Sequence, residues 1–173
     1  GVAAQRDLPA FARTTFTRAF RRRRARGEAR TGGPRVVLWP DTFGNHFHPN
    51  VPAAAVRVLE DAGFSVVLPR GQVCCGLTWV STGQLDVARA TMRRAVRALA
   101  PLVAEGLPVV GLEPSCTAAL KHDLLELLPG RESEDVAAAV HTLAGFLNTY
   151  APHWQPPRVP ASALAQVHCH QHA

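Results

Sequence analysis

The chain has 173 residues, 47% hydrophobic and 18% charged, which suits one body with a sizeable core and excludes a disordered tail or a fibre. Its net charge of +6 invites a nucleic-acid role, but residues 1–33 hold nine arginines against Asp7 and Glu28, and the remainder is close to neutral. The basicity therefore reads as the property of one segment and not of a folded face, and no nucleic-acid partner is expected.

Phe11, Phe16 and Phe20 recur among arginines over residues 9–26, with Pro9 at a plausible first helical position. That spacing predicts a short amphipathic helix whose aromatic side docks on a neighbour. Residues 27–34 read as a flexible connector, which divides the chain into a basic helical segment (1–33) and an α/β domain (34–173). Arg35–Trp39 is a continuous apolar run of buried-strand character, closed by Pro40. A helix is expected over 51–62, stopped by Gly63, then a strand over 64–68, closed by Pro69. Ser81 or Thr82 is expected to cap a long helix through Ala104, with Pro101 kinking or restarting it. A third strand is expected over 107–112. Helices are expected over 114–128 and over 133–150, the latter capped by Ser133 with Glu134 and Asp135 in its first turn. After a proline-rich loop (152–160), a fourth and weaker strand is expected over 163–167.

This alternation predicts a three-layer α/β fold, a parallel sheet with helices on both faces, preceded by the basic helix. In such sheets functional groups gather where strands end and helices begin. Four polar segments follow the four expected strands: Asp41–His48, Cys74–Thr78, Glu113–Cys116 and His168–His172. They are expected to share one rim.

Half of the four cysteines stand together in Val73-Cys74-Cys75-Gly76. Adjacent cysteines do not readily share a strain-free disulfide. Both thiolates can face one metal centre if the backbone turns, and Gly76 permits a turn at positive φ. The alternative is a pair of ordinary buried cysteines. Cys116 sits at a helix entry, where unpaired amides favour a thiolate. Cys169 lies in His168-Cys-His-Gln-His172, an unusual run of histidines around a thiol. Thiolates suit iron–sulfur clusters, and zinc competes wherever cysteine and histidine mix. The lack of a Cys-x-x-Cys pair counts against a zinc ribbon and against thioredoxin-like exchange. With no secretory pattern at the start, a reducing, cytoplasmic setting favours metal or redox chemistry over structural disulfides. Asp41, Thr42, Asn45, His46 and His48 supply a ligand or proton donors, or else satisfy their own loop. His122 and His141 read as structural residues on helices.

Trp39-Pro-Asp-Thr-Phe-Gly-Asn-His-Phe-His-Pro49, Val73-Cys-Cys-Gly76, Leu112-Glu-Pro-Ser-Cys116 and His168-Cys-His170, in that order, resemble the cysteine-rich CCG domain. That domain occurs in the heterodisulfide reductases, in glycolate oxidase and anaerobic glycerol-3-phosphate dehydrogenase iron–sulfur subunits, and in lactate utilisation protein A. The nearest likeness is to the version fused behind an FAD-binding and a ferredoxin-like module in 2-hydroxyacid oxidases. The resemblance covers residues 35–173 and implies one Rossmann-like CCG half plus the start of a second, hence a fragment of a longer protein. It implies a four-iron (4Fe-4S) cluster held by Cys74, Cys75, Cys116 and Cys169, with His168 and His170 tuning it. It also implies FAD in a missing module, and electron flow from flavin to a quinone or other acceptor. The implied location is the cytoplasm, with peripheral contact to the inner membrane left open. Many members carry a further cysteine where Thr42 stands. With half the family's ligands absent, this piece alone is expected to be metal-free or to bind an adventitious metal. The alternative is a zinc-binding structural or interaction module without redox function.

Overall fold

The strand β1 (Arg35–Trp39) buries every residue from Val36 to Trp39, as helices on both faces of a sheet require. A computed structural model describes residues 5, 7, 9–71, 73–158, 160–164 and 166–169. Before β1 lies α1 (Phe16–Ala25). After it come α2 (Thr42–His46), α3 (Asn50–Asp61), β2 (Ser65–Val67), α4 (Leu77–Ser81), α5 (Leu85–Ala104) and β3 (Val109–Gly111). The chain continues through α6 (Pro114–Lys121), α7 (Asp123–Leu127), α8 (Arg131–Ala139), β4 (Val140–Thr142) and α9 (Leu143–Tyr150).

All pairings are parallel, in the order β2-β1-β3-β4, so the chain forms the expected α/β sheet with helices on both faces. The strand order reverses between β1 and β3. The C-terminal ends of those two strands therefore flank the crevice where such sheets place their ligands. Alternate residues of β1 feed two cores. Val37 and Trp39 pack with Met92, Val96 and Leu99 of α5 and Leu120 of α6. Val36 and Leu38 pack on the opposite face with Leu59 of α3, Phe146 of α9, and Phe16 and Phe20 of α1. The aromatic side of the basic helix thus docks on the sheet's own helical layer, and Phe20 is only 5% exposed.

Several expectations need correction. The first helix starts at Phe16, not Pro9, because Thr15 takes the cap and accepts the Arg18 N–H at 3.3 Å. Phe11, outside the helix, stacks on Phe47 at 4.7 Å. The long helix α5 starts after Gln84 and not at Ser81 or Thr82, since α4 occupies residues 77–81 and Thr82 closes it by donating to the Thr78 carbonyl. Pro101 lies within α5, which runs on to Ala104. Its exposed ring sits in the last turn, where few hydrogen bonds remain to be lost.

The other corrections concern the second half. The helix expected over 114–128 breaks at His122 into α6 and α7. The helix expected over 133–150 is interrupted by the fourth strand, β4, which pairs with β3 at Val109↔Val140 and Gly111↔Thr142. Gly130, not Ser133, precedes α8, and Ser133 is buried. The described part of 163–167 has no regular structure and is exposed, because the place beside β3 is already filled. A three-residue strand between alanine-rich stretches is too short to register in a periodicity.

Candidate metal centre

Trp39 closes β1, and its indole Nε1 donates to the Val73 carbonyl at 3.0 Å, anchoring the segment that enters the cysteine pair. Gly76 then turns the chain at φ +81°. A Cβ there would lie 3.4 Å from both the Ala88 carbonyl oxygen and Met92 Cγ of α5. The turn therefore needs glycine for its dihedral. Its consequence is that Cys75 points inward and is 4% exposed, while Cys74 is half-buried.

The second thiol comes from the end of β3. Glu113 caps α6, its carboxylate accepting the Cys116 N–H at 2.6 Å, with Pro114 opening the helix. The amide expected to favour a Cys116 thiolate is thus engaged by a carboxylate. Burial raises the Glu113 carboxyl, but hydrogen bonds from Cys116 and Ser115 outweigh it and hold the group below its ordinary range. Gly111 lets α6 lie close: a Cβ there would stand 2.5 Å from Thr117 Oγ1 and 3.3 Å from the Trp39 ring.

These two loops bring Cys75 Sγ within 3.0 Å of Cys116 Sγ, its thiol donating to the second sulfur. Cys74 is hydrogen-bonded to Cys75, and that bond, with burial, drives its thiol far above the ordinary range. The Cys75 thiol is pushed up to about 12, chiefly by its bond to Cys116. The Cys74 and Cys75 thiols thus hold their protons. A thiophilic cation takes the place of those protons, and soft sulfur donors crowded at one rim fit such a group. Among the described residues, no three His, Cys, Asp or Glu side chains stand in the geometry of a single-ion site. Two thiolates on one tetrahedral ion stand roughly 3.8 Å apart, so the Cys75–Cys116 pair is set as hydrogen-bonded thiols.

The other expected site residues are placed unequally. Cys169 is exposed. His168 reaches the rim through Ser115, its Nε2 lying 3.1 Å from Ser115 Oγ, next to Cys116. It does so from an irregular segment and not from the end of a strand. His170 lies outside the described residues. Thr42 is exposed in the first turn of α2, beyond β1. Its neighbours serve the fold: Asp41 caps α2 through the Gly44 N–H, and buried Asn45 accepts the Thr17 N–H at 3.0 Å. His141 lies on β4 and not on a helix, edge-on to Tyr150, its pKa lowered by burial and by Lys121. Glu113, Ser115 and Trp39 stand in the segments that the sequence singles out, but their roles in shaping the site are not read from it. The acid-then-proline start of Glu113-Pro114 is the cap signal that could have found the first.

Residues 40–121 match the model of the cysteine-rich CCG domain. The chain is 37% identical over 92 residues to a subunit of the fumarate reductase (CoM/CoB) of Methanothermobacter marburgensis, covering 53% of this chain and 18% of that one. It is 39% identical over 77 residues to an uncharacterised iron–sulfur protein of Methanocaldococcus jannaschii (44% of this chain, 15% of that one). It is 35% identical over 83 residues to lactate utilization protein A of Bacillus velezensis (48% of this chain, 33% of that one). The chain thus spans no more than a third of the length of these three relatives. No solved structure matches it.

Proposed function

We propose that this chain, which carries a cysteine-rich CCG domain over residues 40–121, is the iron–sulfur electron-transfer portion of a larger oxidoreductase. The carrying observation is the meeting of Cys75 and Cys116, 41 positions apart, at 3.0 Å with Cys74 beside them. Relatives named as part of a reductase and as an iron–sulfur protein support the reading.

In this reading Cys74, Cys75, Cys116 and Cys169 hold the cluster, His168 and His170 stand near its sulfurs, and Thr42 borders it. The group, when bound, supplies reversible one-electron storage. The chain's own residues do the rest. Trp39 and Gly76 fix the direction of the cysteine turn, Glu113 fixes the start of α6, and Ser115 holds His168 against that start. The sheet and α5 bury the inner thiol and keep water from it. The larger protein is an FAD-linked 2-hydroxyacid dehydrogenase in which a separate flavin module oxidises the substrate, the type implied by the likeness of the four motifs to the CCG version fused behind an FAD-binding and a ferredoxin-like module. A ferredoxin-like module and a second CCG half are its partners, and a quinone or similar acceptor takes the electrons.

The test is anaerobic reconstitution of the intact protein with iron and sulfide, compared with Cys75→Ser and Cys116→Ser. Each variant is expected to lose most of its bound iron and its visible charge-transfer absorption while its far-ultraviolet circular dichroism is unchanged. Iron and colour equal to wild type in both variants would refute the assignment. Stoichiometric zinc without colour would replace it with a structural metal module.

A further inference from the structure

We propose that the open edge of β2 is a docking site for an extended, acidic segment of a partner polypeptide. Among the described residues the strand is the sheet's edge and pairs only with β1. Ser65 N–H donates to the Pro34 carbonyl on the β1 side at 2.9 Å. By the two-residue alternation of a strand, the Val66 N–H and C=O point to the unpaired side. Unpaired edge groups are a template for a further strand.

A groove of about 710 Å³ lies beside the end of β2, between it and α5. Its floor is Val67 and Leu68 together with Ala98, Pro101 and Leu102 of α5. Its walls carry Arg24, Arg35, Arg70, Arg94 and Arg97 against the one acid Glu105. Glu105 is engaged by Arg35 at 3.0 Å. The other four arginines make no ion pair among the described residues. Arg24 comes from α1 and Arg94 and Arg97 from α5, helices that pack on opposite faces of the sheet. Guanidinium groups therefore overhang the edge from both layers, where a further strand would project its side chains up and down. Arg94 and Arg97 are one helical turn apart, roughly 4.5 Å along the axis, within reach of neighbouring carboxylates on one ligand. Strand geometry, an apolar floor and cations from both faces together select an extended chain alternating acidic and apolar residues. A lone anion would use only the charge.

The test is calorimetric titration of the intact protein, at physiological salt, with a short synthetic peptide alternating Glu and Val. A second peptide has the same side chains but a methyl on every backbone nitrogen, and anionic phosphatidylglycerol vesicles form a third arm. The first peptide is expected to bind. Affinity should fall on the order of tenfold or more in Arg94→Glu/Arg97→Glu, from two lost charge-assisted bonds, and similarly for the methylated peptide. Both arginines are exposed, so the double variant keeps the fold, which circular dichroism checks. No binding of the first peptide, equal binding of the methylated one, or tighter binding to the vesicles than to either peptide would overturn the proposal.

Discussion

A single glycine sets the direction of the cysteine turn. Gly76 holds φ +81°, and that dihedral serves to turn Cys75 inward. A left-handed conformation costs an ordinary residue roughly 1–2 kcal/mol. Gly76→Ala is accordingly expected to lower stability by about that amount in urea unfolding. It should also reduce iron uptake on reconstitution, because relaxing the turn moves Cys75 from Cys116. Unchanged stability and iron content would show that the cysteine turn tolerates a side chain. Sequence made Cys74, Cys75 and Cys116 legible as a set, through their positions after expected strands. It did not reveal Glu113 as the group occupying the Cys116 amide, since a carboxylate next to a proline is equally at home on a surface.

Between elements, the most telling contact joins α1 to α3. Arg23 and Glu60 form a two-pronged pair at 2.7 and 2.6 Å, and the Arg30 N–H adds a third bond to the same carboxylate. Burial raises the Glu60 pKa, but Arg23 and the Arg30 amide outweigh it, and the net shift is downward. A carboxyl whose folded pKa is depressed stabilises the protein above its unfolded pKa. That contribution is lost as pH falls through the folded value. Glu60→Gln should therefore cost about 1.5–3 kcal/mol near neutrality, the range for bonds to a charged group. The gap to wild type should close in acid, as pH falls below the ordinary glutamate range. Urea unfolding of both proteins at neutral and acid pH measures this, and a gap that persists in acid would point to packing instead of charge.

For the molecule as a whole, the question is whether residues 1–33 are a connector or part of the body. Phe16 and Phe20 lie in one core with Val36, Leu38, Leu59 and Phe146, and losing a buried phenylalanine costs about 3–5 kcal/mol. Deleting residues 1–33 should uncover that face, lower the unfolding midpoint and promote association, as read by thermal denaturation and light scattering. A truncated chain as stable and monodisperse as the intact one would make the segment a tether only. The same packing revises the reading of charge. Arginines that are far apart along the chain stand around a single groove, which counting charge by segment cannot show.

Local order was enough to determine the class of this protein. Short apolar runs closed by prolines, alternating with amphipathic helices, dictate a parallel sheet, and β1 and α3 fall within a residue of where the pattern puts them. The cysteines declared themselves by type and by place after a strand. Tertiary structure alone decided the fourth strand, because a three-residue segment becomes a strand only when β3 offers it an edge. It alone decided that Cys75 and Cys116 touch and that α1 closes a core. Each of these depends on partners remote in sequence, whose approach is fixed by packing and not by the residues that flank them.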